Sequence, residues 1–245
     1  MVFETLLNPV LNMNPLVALL IISFVLALLI TLIYKKLTNQ ELMKRLRDEM
    51  KEHQKEMKDY RSNPQKMMAV QKKAMEKNMQ YMMHSFKPML ITLLPLLIIF
   101  GWLNANMAYE PIKPFQEFTT TAVFAKDIYG AVILIVPEGL EVIGEASQDI
   151  KDGKAEWTLK GGEGEYLLEY QFEDKGLTRE VLISKENVYK NPIYNTKEKD
   201  LKSLNINNQP KKYINLFGWQ IGWLGTYIIF SLVFSMGLRK ILKIY

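Results

Sequence analysis

Residues 88–109 read PMLITLLPLLIIFGWLNANMAY and carry no charged side chain. Two further stretches share this property, residues 5–34 and residues 213–238. A helix needs about 20 predominantly apolar residues to cross the hydrocarbon core of a bilayer, whereas a soluble helix would need one polar face. All three stretches are long enough, so the sequence predicts three membrane spans and an integral membrane protein.

The average composition hides this clustering. The 245 residues are 49% hydrophobic and carry a formal net charge of +5, values that an ordinary soluble protein could have. The chain contains no cysteine and two histidines. Disulfides, a thiol nucleophile and a three-histidine zinc site are therefore excluded.

The distribution of charge predicts the orientation of the spans. Residues 35–87 hold 14 Lys and Arg against 7 Asp and Glu, whereas residues 109–212 hold 14 against 18. Basic residues in short loops and near span ends mark the cytosolic side. We expect the N-terminus outside, the first loop and the C-terminus in the cytosol, and the chain in the cell (plasma) membrane. The first apolar run is too long for a signal-peptide core and is expected to be retained.

The predicted fold is a mainly α membrane protein with three transmembrane helices, a cytosolic antiparallel helical hairpin and a small extracytosolic β-sandwich-like domain between spans two and three. The predicted segments are 1–37 (N-terminus and span one), 38–87 (the hairpin), 88–109 (span two), 110–190 (the β-domain), 191–212 (a linker) and 213–245 (span three and a basic tail).

The hairpin prediction depends on helical periodicity. Residues 38–62 contain neither Gly nor Pro, and Thr38 is a plausible N-cap with Glu41 three residues later. Asn63-Pro64 then breaks the helix, and a second helical run follows. Apolar residues spaced 3-4-3-4 along the first run indicate a coiled-coil seam.

The outer segment is predicted to be β. Short runs of β-branched, aromatic and apolar residues alternate there with turn signals such as Asp152-Gly153 and Gly161-Gly162. Regular short strands of this kind are typical of a small sandwich. Residues 191–212 are polar and rich in Asn and Lys, which favours a linker that leads back to the membrane.

No catalytic set emerges from the sequence. The chain contains no H-E-x-x-H, no G-x-S-x-G and no glycine-rich phosphate loop. The three spans contain no ionisable side chain, although ion and proton transport usually needs one there. No basic stripe is interleaved with stacking aromatics, so DNA is not an expected partner. We expect no enzymatic activity, no cofactor and no metal.

Methionine is concentrated in the predicted hairpin. Nine of the 14 methionines lie between residues 43 and 83. Methionine either fills a helical core or forms an adaptable hydrophobic surface for clients, and the sequence leaves both readings open. The candidates for client capture are Met67, Met68, Met79, Met82 and Met83.

Polar side chains within the spans are the second candidate set. Such residues either join helices by hydrogen bonds or line a hydrated groove. The groove-lining candidates are Thr92, Gln220, Thr226 and Ser231. Basic residues near the span ends and on the hairpin are candidates for contacts at the groove mouth, with anionic lipids or with the ribosome. These are Lys35, Lys36, Lys44, Arg45, Lys72, Lys73, Arg239 and Lys240.

Three stretches carry a family resemblance. They are LIYKKLTNQELMKRLRDEMKEHQKEMK (32–58), FKPMLITLLPLLIIFGWL (86–103) and GWLGTYIIFSLVFSMGLRKIL (222–242). With the order span, charged coiled coil, span, outer loop, span, the chain resembles an archaeal member of the YidC-like insertase superfamily. That superfamily includes bacterial YidC, the mitochondrial Oxa insertase and the core insertase subunit of the ER membrane complex.

The resemblance implies an insertase that passes client segments with short translocated tails through a hydrophilic groove, without nucleotide hydrolysis. Its implied partners are nascent membrane proteins, the ribosome, anionic lipids and other membrane biogenesis subunits. The chain departs from YidC-type proteins in having no basic residue in span one before Lys35. The outer domain is also additional to the minimal core. The alternative is a structural membrane anchor, or a subunit of a larger translocation complex, that binds partners through the β-domain and coiled coil.

Overall fold

A computed structural model describes residues 13–244, which form two compact units. The helical unit comprises Leu16–Gly101 together with the C-terminal segment from Leu224, and the β unit comprises Trp102–Trp223. The helices are α1 (Pro15–Leu37), α2 (Gln40–Asp59), α3 (Pro64–Met107) and α4 (Trp223–Ile241). Helices α1, α3 and α4 are long and apolar enough to cross a membrane. The prediction of three apolar helices and a β-rich region after the second is confirmed.

Short polar side chains set the boundary between α1 and α2. The Thr38 hydroxyl donates to the Tyr34 carbonyl at 2.6 Å, within the last turn of α1. The Asn39 side chain accepts a hydrogen bond from the Leu42 amide at 3.0 Å and caps α2. The N-cap is therefore Asn39 and not the predicted Thr38, because Thr38 bonds backward to the preceding helix.

Helix α3 joins two segments that the sequence analysis separated. It begins at Pro64, where the Asn63 side chain accepts from the Lys66 amide at 3.2 Å and proline suits the first helical position. It then continues for 44 residues through Pro88 and Pro95, a length of about 66 Å. The helix has no break between Lys87 and Pro88, so the second hairpin arm and span two form one helix.

An ion pair joins the middle of α2 to the first half of α3. The Lys77 ammonium lies 2.6 Å from a Glu49 carboxylate oxygen, and this contact lowers the pKa of Glu49. Met43 and Leu46 of α2 are buried. A helix–turn–helix is therefore present, whereas its coiled-coil geometry stays a prediction.

Two sheets of the β unit share one core. The strands are β1 (Phe118–Phe124), β2 (Ala131–Ile135), β3 (Leu140–Ile143), β4 (Ser147–Asp149), β5 (Lys154–Gly161), β6 (Gly164–Phe172), β7 (Lys175–Ile183), β8 (Ile193–Asn195), β9 (Leu201–Ile206), β10 (Lys212–Leu216) and β11 (Trp219–Gly222). The first sheet has the strand order β3-β5-β1-β9-β8 and the second β4-β2-β6-β7, with antiparallel pairing, while β10 and β11 form a separate hairpin. Trp157 of β5 packs edge-on against Tyr170 of β6, with ring centroids 5.7 Å apart.

The segment predicted as a linker belongs largely to this sandwich. Strand β9 pairs antiparallel with β1, the third strand of the first sheet. Leu201, Leu204 and Ile206 are buried in the core. The prediction was wrong because the average polarity of residues 191–212 concealed these three apolar residues, which are too few and too irregularly spaced to give a clear strand pattern.

The start of span three also differs from the prediction. Residues 212–222 form the β10–β11 hairpin, and the helix begins only at Trp223. Phe217 and Gly218 both have positive φ, +52° and +92°, as a two-residue type I′ turn requires. The uncharged stretch from residue 213 therefore contains a tight turn that charge and hydropathy do not reveal.

Candidate functional site

The three apolar helices meet around a cavity with a mainly apolar surface that also carries four hydroxyl groups and one guanidinium. This inner cavity, of about 290 Å³, receives residues from α1, α3 and α4. Helix α1 contacts α4 through Phe24 and Phe234, whose ring centroids are 5.3 Å apart. Helix α3 contacts α4 through Phe100 and Tyr227 at 4.9 Å. The cavity is lined by Ile30, Tyr34, Tyr81, Ser85, Pro88, Met89, Thr92 and Arg239.

One stripe of residues along α3 supplies most of the polar side chains that line the inner cavity. Residues at a spacing of three and four along this helix are less exposed than their neighbours, as expected for the packed side of an amphipathic helix. The stripe consists of Met67, Val70, Ala74, Lys77, Tyr81, Ser85, Pro88 and Thr92. The last four of these residues line the inner cavity, so the face that packs against the neighbouring helices is also the face that carries hydroxyl groups.

Three hydroxyl groups of the inner cavity, those of Tyr34, Ser85 and Thr92, are hydrogen-bonded. Ser85 donates to the Tyr81 carbonyl at 3.0 Å, and its oxygen lies 3.1 Å from the Tyr34 hydroxyl. The Thr92 hydroxyl lies 3.0 Å from the carbonyls of both Pro88 and Met89. Because each hydroxyl oxygen has two lone pairs, these groups keep acceptor capacity for a polar group that enters the cavity.

Arg239 brings a positive charge to the cavity. It lies in the last turn of α4, directly after the uncharged stretch. Its guanidinium carbon is 4.9 Å from the centre of the Tyr34 ring on α1, within the range of a cation–π interaction. Among residues 13–244 no carboxylate forms an ion pair with it.

A second, larger cavity adjoins the first. This basic cavity has a volume of about 660 Å³ and shares Tyr81 and Arg239 with the inner cavity. Four cationic side chains line it together with three apolar ones and a tyrosine. The lining residues are Arg47, Met50, Tyr81, Met236, Arg239, Lys240, Lys243 and Ile244.

A specific helix terminus shapes one wall of the basic cavity. The Ile244 amide donates to the Arg239 carbonyl at 2.9 Å, and Lys243 has φ +51°. This six-to-one bond with a left-handed residue at C′ is the Schellman arrangement, which turns the chain back on the helix end. Lys35 of α1 donates to the Leu242 carbonyl at 3.1 Å. Ile244 is thereby held in a buried position.

The structure brings one of the four groove-lining candidates into the inner cavity. Thr92 lines it. Gln220 is exposed on β11 in the β unit, so its predicted place in a membrane span is wrong. Thr226 is buried, and its hydroxyl has no hydrogen-bond partner in the described chain. Ser231 donates to the Ile228 carbonyl of its own helix. Neither Thr226 nor Ser231 lines either cavity.

The methionine candidates lie mainly on the outside of α3. Met68, Met79, Met82 and Met83 have between 56% and 68% of their surface exposed. Met67 is half-buried on the packed stripe. The exposed methionines therefore do not fill a core within this chain.

The basic candidates occupy different environments. Lys35 bonds to the end of α4, and Arg45 lies 3.8 Å from a Glu49 carboxylate oxygen. Arg239 and Lys240 line the basic cavity. The side chains of Lys36, Lys44, Lys72 and Lys73 are exposed.

Sequence reasoning missed Tyr34, Tyr81, Ser85, Arg47 and Lys243. Tyr34 and Ser85 could have been noticed as polar residues at the edges of apolar runs. Their pairing across 51 residues had no sequence signal, because it depends on how the helices pack. Within the described part of the chain, no group of three His, Asp or Glu side chains could hold a metal ion.

Comparison with known proteins gives one match. The family model described as integral membrane protein EMC3/TMCO1-like matches residues 4–137, more than half of the 245-residue chain. The match covers α1, α2, α3 and the first two strands. No curated protein and no solved structure matches the chain.

Proposed function

Because the chain belongs to the EMC3/TMCO1-like family of integral membrane proteins, part of the Oxa1/YidC/Alb3 superfamily of insertases, we propose that it is a non-enzymatic membrane protein insertase. It passes client transmembrane segments with short translocated tails into the bilayer through a hydrophilic groove, without nucleotide hydrolysis. We infer an archaeal YidC-like protein from the three stretches quoted above. The family supports either membrane protein insertion or membership of a membrane complex.

The observation that carries this proposal is the inner cavity. Three helices that are apolar enough to span a membrane direct hydroxyl groups and one guanidinium into a shared space. An unsatisfied polar group costs several kcal/mol in hydrocarbon, and acceptors along the path lower that cost for the polar tail of a client. Apolar burial of about 25 cal/mol per Å² then favours release of the client helix into lipid.

The proposed orientation places the hairpin and the end of α4 in the cytosol. The excess of Lys and Arg in residues 35–87 supports this arrangement. Within the helical unit, the contacts Phe24–Phe234 and Lys35–Leu242 indicate that α1 and α4 run in the same direction. Alternate spans of a three-span protein have this relationship. The proposed location is the plasma membrane.

Client capture is assigned to the exposed methionines of α3. Met79, Met82 and Met83 present flexible apolar side chains near the start of the apolar half of the helix. Such a surface adapts to varied apolar segments. Lys72 and Lys73 are exposed nearby on the same helix and are suited to contact rRNA at the ribosome. The proposed partners are therefore nascent membrane proteins, the ribosome and other membrane biogenesis subunits.

Photo-crosslinking during translation tests the proposal. A photoreactive residue replaces Thr92 in the inner cavity, Met82 on the exposed surface, or Leu94 as a matched control on the lipid-exposed side of α3. Ribosomes are stalled on a membrane protein with a short translocated tail. We expect adducts to the nascent span at Thr92 and Met82, with lipid adducts at Leu94.

Two other outcomes would count against this mechanism. Adducts at Met82 alone would indicate a cytosolic docking platform without a groove. Lipid adducts at all three positions and no adduct to the nascent chain would favour the anchor or complex-subunit alternative. The exposed aromatic side chains of Phe217 and Trp219, at the tip of the β10–β11 hairpin, are a specific feature that could contact a partner in that alternative.

A further inference from the structure

We propose that the basic cavity is a binding site for the phosphate headgroup of an anionic phospholipid. The cavity combines four cationic side chains with an apolar wall at the end of a membrane-spanning helix. Basic pockets of this kind between membrane helices bind anionic headgroups. The proposal does not depend on client passage, because a lipid could occupy the site in an anchor protein as well.

The basic cavity gathers cationic side chains from three parts of the helical unit. Arg47 comes from α2, Arg239 and Lys240 from the last turn of α4, and Lys243 from the turn that follows. In the described residues none of these four side chains forms an ion pair. Glu49, which lies close to Arg47 in sequence on α2, is instead paired with Lys77 and Arg45. Four like charges around one space repel one another, and an anion between them relieves that repulsion.

The remaining lining suits a lipid better than a free ion. Met50, Met236 and Ile244 give the cavity an apolar side. Met236 is 73% exposed on α4 and is followed two residues later by the end of the uncharged stretch. An acyl chain can follow this exposed side while the phosphate contacts the cations. The Tyr81 hydroxyl adds a hydrogen-bond donor for a phosphate or glycerol oxygen.

The position of the cavity along α4 agrees with the depth of lipid phosphates. The uncharged stretch of α4 ends at Leu238, and Arg239 and Lys240 follow immediately. The change from apolar to charged residues marks the boundary between hydrocarbon and headgroups. A phospholipid is always present at that boundary, whereas an acidic client tail reaches it only during insertion. This favours a lipid as the resident ligand.

Lipid selectivity of the purified full-length protein tests the proposal. Native mass spectrometry in a neutral detergent measures retention of phosphatidylglycerol against phosphatidylcholine with the same acyl chains, supplied in equal amounts. The cavity variant carries Arg47→Gln and Lys243→Gly. Glycine is the preferred residue at a left-handed C′ position, so the second substitution removes the charge while preserving the turn. The control variant carries Lys55→Gln and Lys58→Gln, two exposed side chains outside the cavity.

We expect wild type and the control variant to retain phosphatidylglycerol preferentially. The cavity variant should lose about fivefold in that preference for each charge removed, as expected for basic residues at a membrane surface. Equal preference in all three proteins would overturn the proposal, provided that their thermal unfolding midpoints agree. Displacement of phosphatidylglycerol by millimolar inorganic phosphate would assign the site to the free ion. If the wild-type protein showed no preference between the two lipids and a soluble acidic client peptide displaced both, the site would be assigned to the client.

Discussion

The Arg239 guanidinium on α4 lies 4.9 Å from the centre of the Tyr34 ring on α1. The first apolar helix carries no basic residue before Lys35. The third apolar helix therefore places a cation on the surface of the first, at the inner cavity that both helices line. The Tyr34 hydroxyl also contacts Ser85 of α3, so this one ring links all three apolar helices.

A double-mutant cycle should detect this contact. We expect Tyr34→Leu and Arg239→Gln to show a coupling free energy of about 0.5–1 kcal/mol, as for a partly exposed cation–π pair. Thermal unfolding of the purified protein in detergent measures it. A second cycle with Tyr34→Phe in place of Tyr34→Leu should give a coupling free energy near zero, because the phenylalanine ring keeps the contact with Arg239 and only the hydrogen bond with Ser85 is lost. Zero coupling in the cycle with Leu would contradict the contact.

Two of the predicted groove residues, Thr92 on α3 and Ser231 on α4, should behave differently in an insertion assay. Thr92→Leu removes a hydroxyl from the inner cavity. The client tail then loses one hydrogen bond of about 1 kcal/mol during passage, so the insertion rate in proteoliposomes should fall by roughly fivefold. Ser231→Leu is the matched control, because Ser231 bonds within its own helix and lines neither cavity. An equal effect of the two substitutions, or none with Thr92→Leu in a folded protein, would argue against passage through the inner cavity.

A substitution at Leu204 tests whether β9 is a core strand of the sandwich or part of a linker. This side chain is 0% exposed in the sandwich core, so Leu204→Ala should destabilise the β unit by about 2–5 kcal/mol. Lys202 is exposed two residues earlier on the same strand, and Lys202→Ala should have little effect. Denaturant unfolding followed by the fluorescence of buried Trp157 measures both variants. A neutral Leu204→Ala would mean that β9 contributes nothing to the core.

Alkaline pH should destabilise the β unit through its buried tyrosines. Tyr189 accepts a hydrogen bond from the Ala108 amide and donates to the Asn104 carbonyl, and burial raises its pKa to about 12. Burial also raises the pKa of Tyr170 and Tyr213. The raised pKa values mean that the folded protein binds these protons more tightly than the unfolded chain does. The associated stability is fully present below the unfolded pKa of about 10 and is lost as pH rises through the folded values.

Unfolding free energies measured between pH 9 and pH 12 check the alkaline prediction. Tyrosinate absorbance should show a late-titrating group that disappears in Tyr189→Phe. This variant should also have a shallower decline of stability over the same pH range. A decline that is identical in wild type and Tyr189→Phe would exclude Tyr189 as a contributor.

The membrane helices could be predicted because their signal is local. Uncharged runs of sufficient length identify α1, α3 and α4 whatever their neighbours are, and turn residues between β-branched runs identify much of the sandwich. Segment averages of polarity and charge gave wrong predictions where a few residues determine the local structure. The apolar residues of β9 were hidden in a polar segment, and the turn at Phe217-Gly218 keeps the first ten residues of the uncharged run 213–238 out of the helix.

Length, charge and periodicity are properties of a single segment, and they were sufficient to predict an integral membrane protein with three apolar helices and a β-rich domain. The meeting of Tyr34, Ser85 and Arg239, and the place of Gln220 on strand β11 instead of in an apolar helix, depend on tertiary packing. Those contacts join residues up to about two hundred positions apart. Their geometry depends on how apolar helices pack, and helix packing is set by side-chain shape on both partners rather than by the composition of either.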